Sequence, residues 1–144
     1  MKKNRLYMNP AVSVISLILF EAYLVFFGPA VCQLAALKLD AVALPEDVTP
    51  VLETKAKISD VNWLHVRAEK VVFCDRGTDY VRDYVKGHNT PETLEYISIC
   101  SFDALSDMRI YDYDWIRDEE LKRKIREDGF DKYVLIVYMK PDHR

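Results

Sequence analysis

Three groups of residues have the types and spacing to do chemistry. Tyr111, Tyr113 and Trp115 stand at every second position, with Asp112 and Asp114 between them. On a strand they share one face, where rings beside carboxylates can stack on a sugar or peptide; the same stripe can equally face a core. Asp75-Arg76-Gly77-Thr78 follows the apolar run Val71-Val72-Phe73-Cys74. Such a turn after a strand can hold phosphate or Mg²⁺, but the phosphotransferase version needs a second Asp where Gly77 stands. The turn therefore reads as a capped strand-to-helix connection. The third is Glu21, the only charged residue between Ala11 and Leu37. At a bilayer centre a carboxylate costs about 2.5–3.5 kcal/mol on insertion scales. Glu21 is thus a candidate to meet a partner helix in the membrane, unless the helix shifts so that it snorkels or neutralises.

Other chemistries find no footing. His65, His88 and His143 have no metal-ligand spacing with one another or with Cys74 and Cys100, and zinc wants paired ligands. No nucleophile elbow, zinc-protease helix, Walker loop or dinucleotide fingerprint occurs. No catalytic, metal or cofactor residue is assigned, and no cofactor is called for. From Leu44 onward there are 16 Lys and Arg against 21 Asp and Glu, a net charge of −5. The basic residues are interleaved with acids, which argues against nucleic acid as a partner. The stretch Phe102 to Glu120 carries seven acids against two arginines and reads as a solvated face.

Four segments position these residues. Residues 1–10 are basic, with Lys2, Lys3 and Arg5 and no acid. Residues 11–37 are apolar and follow Asn9-Pro10, a helix start. As one helix these 27 residues would reach about 40 Å, enough for a bilayer core of about 30 Å. We read this as a single-pass transmembrane helix, a signal anchor. A cleaved signal peptide and a soluble-core helix are the competing readings. The basic flank puts the N-terminus in the cytoplasm and the following domain outside it; cleavage would make the domain secreted. Residues 38–50 read as a stalk linker, and residues 51–144 as a soluble α+β domain.

Within that domain, Val51–Ile58 fits either a short helix or an edge strand. Strands are predicted over Asn62–Cys74, Leu94–Phe102, Met108–Trp115 and Lys132–Lys140, and helices over Asp79–Lys86 and Ile116–Asp128. The last strand is apolar on both faces, which predicts a central position. The order strand, helix, strand, strand, helix, strand is that of a ferredoxin-like βαββαβ domain, an antiparallel sheet with two helices on one face. That order separates the strands ending at Cys74 and Cys100 by a third. The thiols would then lie about 10 Å apart, too far for a disulfide.

The function expected from these features is a membrane-anchored extracytoplasmic binding module. Its partners would be the membrane and a protein or second copy, with Tyr111, Tyr113 and Trp115 as the binding surface. The alternative is a secreted or periplasmic enzyme of unrecognised type.

Overall fold

The computed structural model describes residues 10–58, 66–102 and 118–139. It contains helices α1 (Pro10–Asp40), α2 (Gly77–His88), α3 (Pro91–Leu94) and α4 (Glu119–Asp128), and strands β1 (Thr49–Ile58), β2 (Val66–Phe73), β3 (Ile97–Ser101) and β4 (Tyr133–Met139). The chain divides into two units, Met1–Val31 and Cys32–Arg144, so that α1 contributes to both.

The four strands form one antiparallel sheet in the order β1-β2-β4-β3. β4 is central because all of Tyr133 to Tyr138 are buried, as a run apolar on both faces requires. Alternate residues of β4 divide between two cores. Val134, Ile136 and Tyr138 pack with Ala68 and Val72 of β2, Val81 and Val85 of α2, and Ala35 and Leu39 of α1. Tyr133, Leu135 and Val137 pack with Val71 and with Leu121 and Ile125 of α4. Side chains alternate across a strand, so the two cores lie on opposite faces of the sheet.

This corrects the ferredoxin-like expectation. That arrangement puts both helices on one face and the last strand at an edge. Here the helices cover both faces and β4 lies inside. The segment that fitted either a helix or a strand, Val51–Ile58, is strand β1, paired with β2 from Thr49↔Phe73 to Ile58↔Val66, with irregular register near Leu52. The predicted strand Met108–Trp115 lies outside the described residues. Cys74 and Cys100 are free thiols, and β4 is the strand between β2 and β3.

The transmembrane reading of residues 11–37 is also corrected. Among the described residues no helix is long and apolar enough to cross a membrane. The end of the apolar run is spent in the domain instead. Ala35 and Leu39 are 3% and 1% exposed in the sheet's core, which takes the end of the run out of any span. From Cys32 on, α1 is therefore the core helix that the sequence offered as an alternative. The single-pass, membrane and signal-anchor readings rested on that span. In the first unit the helix carries exposed apolar side chains, including Val12, Leu17, Phe26 and Phe27, and Glu21 is exposed among them.

Local chemistry explains where the elements begin and end. The Asp118 side chain accepts the Leu121 N–H at 2.9 Å and starts α4, with Glu119 and Glu120 in the first turn, where the dipole favours anions. Gly129 ends α4 at φ +107° and Gly77 opens α2 at φ +82°, values that side chains rarely adopt. The chain from α1 to β1, expected to be a linker, is fastened to the domain. Val42 is buried. Asn89, just past α2, accepts Ala43 N–H at 2.9 Å and donates to the carbonyls of Ala43 at 3.2 Å and Val85 at 2.9 Å. Asp40 accepts from Thr54 Oγ1 at 2.5 Å and from Lys70 Nζ at 2.8 Å, so the end of α1 is clipped to β1 and β2.

Candidate functional site

A recess of about 290 Å³ opens where the end of α1, α3 and the β3–β4 edge meet. Its lining is Lys38, Ala41, Glu92, Thr93, Tyr96 and Tyr138. Each comes from an element whose local chemistry holds it in place. Lys38 lies in the last turn of α1, one position before the buried Leu39. Glu92 and Thr93 lie on α3, a single turn opened by Thr90, whose hydroxyl accepts the Thr93 N–H, and by Pro91 at its first position. Tyr96 precedes β3, and its carbonyl accepts Met139 N–H at 2.9 Å. That bond extends the β3–β4 ladder and brings Tyr96 beside Tyr138.

The two tyrosine rings have centroids 5.9 Å apart at 46° and form one aromatic wall. The Lys38 ammonium sits 5.8 Å from the centre of the Tyr138 ring, within range of a cation–π attraction. The Glu92 carboxyl is held below its usual range by hydrogen bonding to its own backbone N–H and to the Thr90 side chain. It is therefore a carboxylate at neutral pH. Among the described residues the recess thus offers an apolar floor with one charge of each sign at its rim. Pockets that hold small molecules share this build, an apolar wall and a few placed polar groups, and this volume is at their small end.

None of the candidates read from the sequence is among the described residues of this lining. Tyr111, Tyr113 and Trp115 lie outside the described residues. Glu21 is exposed on the first unit of the chain. The Asp75–Thr78 turn is engaged in packing: Asp75 binds Lys132 Nζ at 3.0 Å, Arg76 stacks 3.5 Å from the Tyr80 ring centre, and Thr78 Oγ1 donates to the Asp131 carbonyl at 3.2 Å. These bonds hold the 3-10 turn Phe130–Lys132 against α2, so the turn is structural, but the expected cap is corrected: Arg76 stands at the N-cap of α2 and no side chain caps it. His88 stacks on Tyr84 with ring centroids 3.8 Å apart. Among the described residues no group of three or more His, Cys, Asp or Glu is arranged to hold a metal ion.

The recess was not visible in the sequence. Tyr96 and Tyr138 are 42 positions apart and each reads as an ordinary strand residue; Lys38 read as the polar end of an apolar run. No spacing rule joins them.

A second charged feature lies on the opposite side of the sheet. Arg67 and Glu69 of β2 form an ion pair at 3.5 Å with both side chains 7% exposed. Two positions apart on a strand, they share the face that carries Val71. Lys57 and Lys55 of β1 stand opposite them in register.

The fold and recess define a class: a mixed α+β domain with helices on both faces of a four-stranded antiparallel sheet and an amphipathic recess at one corner. Comparison with known proteins finds no family model, no curated protein and no solved structure that matches the chain.

Proposed function

We propose that the chain is a binding module that takes a small ligand in the recess between α1, α3 and the β3–β4 edge. The observation that carries this reading is the paired Tyr96 and Tyr138 wall with Lys38 and Glu92 at its rim. Exposed charges beside an aromatic surface give orientation as well as affinity.

The test is a screen of small amphipathic compounds against full-length protein carrying ¹³C-labelled tyrosine. Binding compounds are expected to shift the Tyr96 and Tyr138 ring resonances together and to lose affinity in Tyr96→Ala. Compounds that bind without moving either ring, or a screen in which neither ring responds, would end this reading.

A further inference from the structure

We infer that the recess selects a small zwitterion with a flat ring, the chemistry of an aromatic α-amino acid. The inference rests on the binding-module reading and deepens it. Three features of the recess narrow the ligand. Its 290 Å³ equals the liquid volume of about ten waters, room for roughly a dozen non-hydrogen atoms. Its wall is two adjoining rings 5.9 Å apart, which favours a flat apolar body that can stack or meet them edge-on. Its rim carries Lys38 from α1 and Glu92 from α3, a cation and an anion on separate elements.

Each simpler ligand leaves part of that rim opposed. An anion would meet the Glu92 carboxylate, and a cation would meet the Lys38 ammonium. A neutral ring would cover both charges and return nothing for the water they lose. A zwitterion matches both at once, carboxylate to Lys38 and ammonium to Glu92. Opposed charges on two elements also fix orientation, because exchanging the ligand's ends turns two attractions into two repulsions.

The experiment is calorimetric titration of the full-length protein with L-phenylalanine, phenethylamine, 3-phenylpropanoate and benzyl alcohol. L-Phenylalanine is expected to bind about fivefold more tightly than the two singly charged compounds, the upper scale of an exposed ion pair. Lys38→Gln should bring L-phenylalanine to the level of phenethylamine and leave phenethylamine itself no weaker. Glu92→Gln should bring it to the level of 3-phenylpropanoate and leave that compound no weaker. Both side chains are exposed, so unchanged melting of the variants separates loss of binding from loss of fold. Benzyl alcohol as tight as L-phenylalanine, or variants that weaken all four compounds alike, would overturn the charge selection. If none of the four binds while other compounds still shift Tyr96 and Tyr138, the zwitterion inference falls and the recess stands. If neither ring answers any compound, both fall.

Discussion

The two faces of the sheet are built on different principles. The face covered by α2 and the end of α1 is an apolar core closed at its margins by polar fastenings. Asp40 reaches Lys70 and Thr54, Asn89 reaches Ala43 and Val85, and Lys38 lies over Tyr138. Lys38 and Asp40 sit at its margin, in reach of water. The face covered by α4 has aromatic packing, with Tyr133 edge-on to Phe73 at 5.2 Å and to Phe102 at 6.4 Å. It also buries the Arg67–Glu69 pair within the sheet. Charges at a margin cost little and are available for recognition; charges inside a sheet are costly and must be satisfied there. The difference places the candidate binding chemistry on the first face.

Three measurements would break or sharpen this contrast. The largest effect is expected at the buried pair. Glu69→Leu leaves the Arg67 guanidinium buried without its carboxylate, and should destabilise by about 4 kcal/mol in urea unfolding. Combining it with Arg67→Met should recover most of that loss, because two apolar side chains need no partner. A double variant as unstable as the single one would mean that the pair is held by more than its mutual charge.

The next effect is at Leu39. It is 1% exposed in the core beneath α2, so Leu39→Ala should cost about 3 kcal/mol by lost burial and a residual cavity. Leu37→Ala, exposed on the same helix, should cost little, within the range of about 0.5 kcal/mol usual for surface changes. Equal effects at the two positions would remove the end of α1 from the core.

The smallest effect is a pH dependence at Asp40. Burial alone would raise its pKa, but the hydrogen bonds from Lys70 and Thr54 and the Lys70 charge outweigh this and lower it. A carboxyl with a lowered pKa in the folded state stabilises above its unfolded value near 4, and the gain is lost as pH falls through the folded value. The carboxylate is 48% exposed, so the contribution should be below about 1 kcal/mol. The melting temperature should fall less between pH 6 and pH 3 in Asp40→Asn than in the unaltered protein. Identical pH profiles would show that the clip adds nothing.

Much of the local architecture could be read before the fold was known. The apolar run Tyr133 to Met139 announced a buried central strand because period-2 patterns on both faces require cover on both. The helix expected over Ile116–Asp128 contains α4, Glu119–Asp128, although the cap at Asp118 was not read. The Asp75–Thr78 turn was recognised as a connection. The apolar run ending at Leu37 misled for a definite reason: hydropathy reports that side chains avoid water, not which surface receives them. A core and a bilayer make the same demand over a few turns. Only the packing of Ala35 and Leu39 against the sheet distinguishes the two for this stretch.

Composition and periodicity by themselves determined that the chain has an acidic α+β domain, where most of its helices and strands lie, and that its last strand is enclosed. Those properties depend on residues close in sequence, whose spacing matches the repeat of a helix or a strand. The tertiary structure alone decided that β4 lies between β2 and β3, that helices cover both faces, and that Lys38, Glu92, Tyr96 and Tyr138 meet at one corner. Strand order and recess geometry follow from which apolar surfaces find each other across long loops, and no local repeat records that choice.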